Sequence, residues 1–547
     1  MHILKLLLLT SKHDEAVLRV RFILLARLHN LLVKYARNLV RDKIRRNKWY
    51  QKQLRAYVKA KKRLEEVEKY LSDENTDKRV IKALQKEHTE LKATIKTLAE
   101  TMNEYRERIG LTKGGLEQYC KKFQKMYSQH ISSQIAQKEA AFVWSAVEKV
   151  LFSEGKELHF KRWDAFRVIS CKSAKNGICF YNKRANVDNT RSTYTPLHEI
   201  GVEYLGLDME IKMDWNDKYQ VESIRDKVKF CTILREMFSD GYRYYVILTL
   251  EGEAPKKYTM GSGIAGCDPG VSTFAYYSDN TIAFEELSPK VKKYNKEIAK
   301  LQKKIDRSLR AMNPEFYNED GTIKKGKHKW KYSRNCLRLK RRLKALYRKK
   351  SAYIKCEHNN RANRVIQDAS VFITEDMNFK ALAKKSSKQA ERSDKETVIT
   401  QKDGTVKTVQ NFNKMGFAHR FKKKKRFGKS MNDRAPALQL SIIQKKMAQY
   451  GGLYYEVNTK EYKASQYNHS NNKYIKVPLS QREKKVGRYV VQRDMYSSFL
   501  LKHADINKNK PDRDACRKDF KNFVNMQNKC IAYLKETGFS MPACAGF

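Results

Sequence analysis

Paired cysteines are missing from this chain of 547 residues. Its ten cysteines (Cys120, Cys171, Cys179, Cys231, Cys267, Cys336, Cys356, Cys516, Cys530 and Cys544) are scattered, and no two form a Cys-x-x-Cys pair. That spacing argues against a disulfide framework and against a sequence-local zinc ribbon. A reduced, cytoplasmic setting is expected. Long apolar runs are also missing: nothing approaches the roughly 20 residues of a membrane span. The leucine-rich start, Met1-His-Ile-Leu-Lys-Leu-Leu-Leu-Leu-Thr10, is short, is broken by Lys5 and has no small-residue cleavage site, so it reads as a buried strand. Acidic residues are scarce too. Asp and Glu number 60 against 114 Lys and Arg, a formal charge of +54. A polyanion is the natural partner for such an imbalance, and nucleic acid is the default. A ribosomal or chromatin protein would be similarly basic, but usually shorter and without need of buried acids.

The basic charge is uneven. Residues 290–350 hold 23 Lys and Arg against 5 Asp and Glu. Lys303, Lys304, Arg307 and Arg310 stack at helical spacing, and Arg338, Lys340, Arg341 and Arg342 follow on the next helix. Such a face repels itself unless phosphates neutralise it, although a solvated helical face is the ordinary alternative. A second run, Lys422, Lys423, Lys424, Lys425 and Arg426, lies in a polar stretch over 384–430; it is a solvated charge run or a phosphate clamp.

Periodicity predicts an α/β chain of several domains. After a first strand over 1–11, residues 12–152 read as helices. A charged helical hairpin spans 52–109, with Leu64, Val67 and Leu71 as its thin apolar stripe, and serves as a solvent-facing arm or as a nucleic-acid contact. Residues 153–258 are short, aromatic, β-branched runs of a small β-barrel. Their rings are its core or, interleaved with Lys and Arg, a base-stacking surface. Residues 259–460 start with a strand meander (263–267, 272–278, 281–286), followed by basic helices near 290–312 and 330–368, a strand over 369–375, a helix over 434–450 and a strand over 452–458. A helix over 494–504, within a segment 493–505, comes after residues 461–492, and 506–547 form a C-terminal helical tail.

Three acids stand at the edges of short apolar runs. They are Asp268 in Ile264-Ala-Gly-Cys-Asp-Pro-Gly-Val-Ser-Thr-Phe274, Glu375 in Val371-Phe-Ile-Thr-Glu-Asp-Met-Asn378 and Asp494 in Val491-Gln-Arg-Asp-Met-Tyr-Ser-Ser498. The element order is that of an RNase H-type fold. Asp268 would end a central strand, Glu375 its neighbour, and Asp494 would open a helix packed across both. Converging carboxylates at strand ends suit two Mg²⁺ ions, or Mn²⁺, because these hard cations prefer oxygen ligands. Two ions about 3.5–4 Å apart activate water and stabilise a leaving 3′ oxygen. Each acid alone has an ordinary reading: Asp268 as a turn cap, Asp376 in place of Glu375, Asp494 as an N-cap. Asp512-Arg-Asp514 offers a rival for Asp494, which is preferred because Ser497 and Ser498 follow it on the packing face.

At these residues the chain resembles TnpB, the transposon-encoded RNA-guided nuclease, and the compact type V CRISPR effectors. Asp268-Pro-Gly-Val-Ser-Thr-Phe looks like the first RuvC motif, Ile373-Thr-Glu-Asp-Met-Asn the second and Gln492-Arg-Asp-Met-Tyr-Ser-Ser the third. Ala464-Ser-Gln466 resembles the Thr-Ser-Gln before the family's zinc ribbon. The likeness covers about 260–505, and the N-terminal half matches only in plan: a helical recognition lobe and a β-barrel wedge. The chain departs from the family at 461–492, where Tyr467-Asn-His-Ser-Asn-Asn-Lys473 and Arg482-Glu-Lys-Lys-Val-Gly-Arg488 replace the cysteine pairs, so no structural zinc is expected and His469 reads as a loop residue. The resemblance implies a guide RNA, a double-stranded DNA target read beside a short flanking motif, and one RuvC site that cuts both strands in turn. It implies a bacterial or archaeal protein working at the nucleoid, and leaves monomer against homodimer open. Two other readings stand beside it. A DDE-type transposase would act on transposon ends without RNA. A nuclease-inactive RNA-guided repressor would have lost an acid, whereas this chain keeps all three.

Overall fold

Alternation of leucine with exposed residues makes the first strand: Leu4, Leu6 and Leu8 of β1 (His2–Leu9) are buried while Ile3 and Lys5 face outward. This computed structural model describes residues 1–71, 78–152, 155–190, 194–319, 321–383, 396–400, 406–410, 427–478, 481–538 and 546. Its chain divides into two units, Met1–Pro255 and Lys256–Phe547. No helix among the described residues is long and apolar enough to cross a membrane.

In the first unit, Ser11 caps α1 (Lys12–Leu39) in a reciprocal capping box with Asp14. Leu18, Phe22, Leu25, Leu28 and Leu32 then recur at helical spacing as its buried stripe. The charged arm is α2 (Lys48–Leu71) and α3 (Lys78–Arg108), with Val67 buried between them. Helices α4 (Lys113–Met126) and α5 (Ser133–Phe152) return to α1, where the buried His29 and Glu139 pair at 2.5 Å. Strands β2 (Val168–Ser170), β3 (Cys179–Asn182), β4 (Val187–Asp188), β5 (Ile200–Tyr204) and β6 (Leu207–Lys212), a short α6 (Lys218–Ser223), β7 (Val228–Met237) and β8 (Tyr242–Leu250) complete the unit. With β1 they form one sheet in the order β2-β7-β8-β1-β6-β5-β3-β4. Among the described residues its end strands β2 and β4 are not paired to each other, so the expected barrel is a sheet without a closed hydrogen-bond ring.

The second unit is built on β9 (Ile264–Pro269), β10 (Thr273–Tyr277), β11 (Ile282–Glu286), β12 (Val371–Glu375) and β15 (Leu453–Val457), in the order β11-β10-β9-β12-β15. The first three strands are an antiparallel meander, whereas β12 and β15 run parallel to β9. Between β11 and β12 come α7 (Val291–Met312) and α8 (Arg334–Asp368). After β12 follow α9 (Phe379–Ala383), the hairpin β13 (Glu396–Thr400) and β14 (Val406–Gln410), α10 (Gly428–Arg434) and α11 (Pro436–Tyr450). Beyond β15 lie α12 (Thr459–Tyr462), the hairpins β16 (Tyr467–Asn468) with β17 (Lys473–Tyr474) and β18 (Glu483–Val486) with β19 (Tyr489–Gln492), α13 (Arg493–Lys502), the pair β20 (Ala504–Asp505) and β21 (Lys510–Pro511), and α14 (Arg513–Thr537).

Period-two alternation sorts the sheet's residues onto two faces. Ala265, Cys267, Phe274, Tyr276 and Phe372 pack with Ala362, Val365 and Ile366 of α8 and Ile443 and Met447 of α11. Ala275, Tyr277 and Ile373 face the other way, onto Met495, Phe499 and Leu500 of α13 and Phe523 of α14. Gly266 and Asp268, and Glu375 two places after Ile373, fall on this α13 face by the same alternation. Gly266 is there for close approach: a Cβ would overlap the Ser498 carbonyl and the Lys502 amide.

Candidate active site

Two parallel strands deliver two acids to one end of the sheet. Asp268 is the penultimate residue of β9 and Glu375 the last of β12, with Thr374 opposite Cys267 in the register between them. Thr374 Oγ1 donates to the Cys267 carbonyl at 3.0 Å, which fastens the strands just before the acids. The third acid arrives on α13, whose cap is Gln492: its side chain accepts from Met495 N at 2.7 Å. Asp494 therefore stands inside the first turn and is not itself the cap. Asp376, beyond the end of β12, is exposed.

Asp268 feels the other two carboxyls. Burial raises the Asp268 pKa well above the ordinary carboxylate range, and the charges of Asp494 and then Glu375 add to the rise; Arg493 and Ser497 oppose it. Burial likewise lifts Glu375 to about 7, against a backbone hydrogen bond from Ala464. Both acids nevertheless keep part of their surface open to solvent. Acids whose charge is disfavoured by their own arrangement form a site that gains by taking up cations or protons.

The third acid is engaged elsewhere. Arg493 Nε and Nη2 hold Asp494 Oδ1 at 3.0 and 2.8 Å, and Arg482 Nη1 lies 3.7 Å from its other oxygen. Among the described residues no group of three or more His, Cys, Asp or Glu side chains is placed to hold a metal ion. The expected closed cage is thus not formed as the side chains stand. The donor set itself is hard oxygen on one face and suits Mg²⁺ or Mn²⁺, provided that Asp494 leaves Arg493. Asp514, the rival acid, sits in the first turn of α14 with its side chain 82% exposed and 3.5 Å from Arg517, whereas the Asp494 side chain is 11% exposed. It is Asp494 whose charge reaches Asp268. Sequence reasoning passed over Arg493, although it adjoins Asp494 in the quoted motif, and over the Ala464 amide, which no side-chain pattern can announce.

Among the described residues of 461–492, β16 with β17 and β18 with β19 form two small hairpins before α13, held by hydrogen bonds and rings. The Lys484 ammonium is buried and donates to the carbonyls of Tyr467 (2.6 Å) and Ser465 (3.4 Å). His469, expected in a loop, occupies the turn after β16 but is 2% exposed. Its Nδ1 meets the Tyr496 hydroxyl at 2.7 Å and its ring packs edge-on against Phe520. Arg513 of α14 donates to the carbonyls of His469 and Ser470. This polar and aromatic packing locks the hairpins to the helix that carries Asp494.

Of the basic residues, Lys303, Lys304 and Arg307 on α7 and Arg338, Arg341 and Arg342 on α8 are exposed. Arg310 is paired with Asp306 at 2.9 Å, and Lys340 is half-buried with its ammonium 3.7 Å from the Tyr332 ring centroid. Lys422, Lys423, Lys424, Lys425 and Arg426 lie outside the described residues.

No family model matches the chain. No curated protein matches it either. Among solved structures it is similar to a chain of the cryo-EM structure of the Cas12f1-sgRNA-target DNA complex, with a TM-score of 0.40 and 11% identity over 92% of this chain and 98% of that one. It is also similar to a chain of the cryo-EM structure of a CRISPR-Cas12f ternary complex, with a TM-score of 0.22 and 11% identity over 92% and 99%. Likeness at this level carries no weight on function.

Proposed function

We propose that this protein is an RNA-guided, divalent-metal-dependent DNA endonuclease whose single RuvC-type site lies on the α13 face of the second unit's sheet. The observation that supports the reading is that two parallel strand ends carry Asp268 and Glu375 on the face crossed by the helix that carries Asp494, whose charge reaches Asp268. Carboxylates gathered at the cost of mutual repulsion favour a bound cation over an ordinary structural role. Mg²⁺ or Mn²⁺ held there would supply water activation and leaving-group stabilisation. The chain's own residues set the stage for this. Asp268 and Glu375 are fixed by the strand register and partly open to solvent, and Arg493 holds Asp494 until a cation competes for it. Guide RNA and target DNA are the polyanions that answer the +54 charge.

The test is to purify the full chain, sequence the RNA that accompanies it, and supply a duplex matched to that RNA with Mg²⁺. The reading expects cutting of the matched duplex and its loss after RNase digestion of the guide. Cutting or joining at transposon ends by RNase-treated protein would replace it with the transposase alternative.

A further inference from the structure

The loop that joins α7 to α8 is a small folded body of its own. Asn313 is buried and pins the loop's two ends. Its amide donates to the carbonyls of Leu309 (2.9 Å) and Lys331 (3.0 Å), and its Oδ1 accepts from the Lys331 amide at 2.7 Å. Inside the loop, Phe316 stacks on His328 with ring centroids 4.6 Å apart and meets Trp330 edge-on at 5.4 Å, while Tyr317 meets Trp330 at 5.9 Å. The rings turn inward on one another. In consequence burial alternates along the chain: His328 and Trp330 are half-buried, and Lys327, Lys329 and Lys331 are exposed, as is Lys325.

These lysines are little compensated. Lys331 stands 4.0 Å from Glu315, and Lys324 donates to the Glu315 carbonyl. Lys325, Lys327 and Lys329 have no acidic partner among the described residues. Over 327–331 the alternation puts Lys327, Lys329 and Lys331 on one side, where side chains two residues apart in extended backbone repeat about every 7 Å, a spacing comparable to that of successive phosphates along one strand; Lys325 stands beyond a bend at Gly326 (φ 140°). The loop's place also matters. The 22 residues of α7 rise about 33 Å, which puts the loop at the end of the α7–α8 arm remote from β11 and β12.

We propose that this loop is a backbone clamp, in which Lys325, Lys327 and Lys329, presented on the ring core of Phe316, His328 and Trp330, grip the phosphates of one nucleic-acid strand without reading its sequence. Rings occupied with one another leave the contact to charge. The clamp rests on nucleic acid being the partner, as proposed above, but does not rest on cleavage.

The test measures equilibrium binding of the full-length protein to a short duplex DNA and to an RNA hairpin of unrelated sequence, across a salt series without divalent ions. The triple variant K325Q/K327Q/K329Q removes only exposed charges. It should bind more weakly and reduce the slope of log affinity against log salt by about 2 to 3, the counterions of three phosphate contacts. Loss on the RNA probe alone assigns the strand to RNA, and loss on the duplex alone assigns it to DNA. Trp330→Ala keeps every lysine but opens the ring core, and should weaken the same probe. Wild-type affinity and slope for the triple variant on both probes overturn the clamp. The binding series contains no divalent ions and reads no cutting, so a protein that binds here through these lysines yet fails the separate cleavage test would count against the nuclease reading alone.

Discussion

A buried imidazole ties the stability of this protein to pH. Burial, with the charges of Arg517 and Arg513 beside it, pushes His469 down to about 4. His358, buried with its Nε2 2.8 Å from the Arg434 carbonyl, is also lowered to about 4. An unfolded histidine titrates near 6.5. Between about pH 6.5 and 4 the unfolded chain takes up protons that the folded one refuses, so these two residues cost stability as the pH falls through that window. Glu375 acts in the opposite sense. Its folded pKa is raised to about 7, so its contribution is present at acid pH and fades as the pH rises through 7. The effect of His469 is isolated by difference. His469→Gln should lower the melting temperature at neutral pH and flatten the decline on acidification toward about pH 5, followed by circular dichroism. A decline as steep as the wild type's would mean that His469 is not held neutral. The position of His469 was not legible in the sequence. A lone histidine in a polar run of Asn and Ser has no apolar neighbours to mark it, and the rings that bury it, Tyr496, Phe499 and Phe520, lie 27 residues or more along the chain.

Among the elements, α13 and its neighbours were the most legible. Short apolar runs ending in an acid located β9 and β12, and Ser497 and Ser498 marked a helix face made for close packing. Gly266 is the counterpart of those serines. Gly266→Ala should force α13 away from β9, costing on the order of 1–3 kcal/mol as overpacking does, and should weaken any activity that needs Asp494 near Asp268. Thermal unfolding checks the first effect; an unchanged melting temperature would refute the close packing. The two hairpins before α13 were legible only as a departure from the cysteine-paired pattern that the sequence otherwise resembles. What holds them is a lysine that bonds carbonyls, and backbone carbonyls have no sequence signature. Lys484→Met removes that donor and leaves the carbonyls of Ser465 and Tyr467 short of a partner, a loss of about 1–3 kcal/mol. Limited proteolysis should then cut within 463–492 faster than in the wild type, and equal rates would count against the role given to Lys484. The eight-stranded sheet of the first unit was foreseen as β-rich, but its order was not. Its first strand pairs with strands about 200 to 250 residues away, and such register is set by long-range pairing that alternation alone does not encode.

At the scale of the whole molecule, composition and site make one claim together. A chain of +54 is suited to carrying phosphates, and in the proposed reading Asp268, Glu375 and Asp494 are the acids that would cut one. The most direct measurement compares wild type with Asp268→Asn, each loaded with its own RNA, for binding and cleavage of the matched duplex in Mg²⁺. The account predicts that the variant binds the target as tightly as wild type and does not cut it. It also predicts that the variant melts no lower than wild type in divalent-free buffer, since an acid whose ionised form is disfavoured by burial and by its neighbours has been replaced by a neutral amide. Cleavage by Asp268→Asn at the wild-type rate would contradict the account.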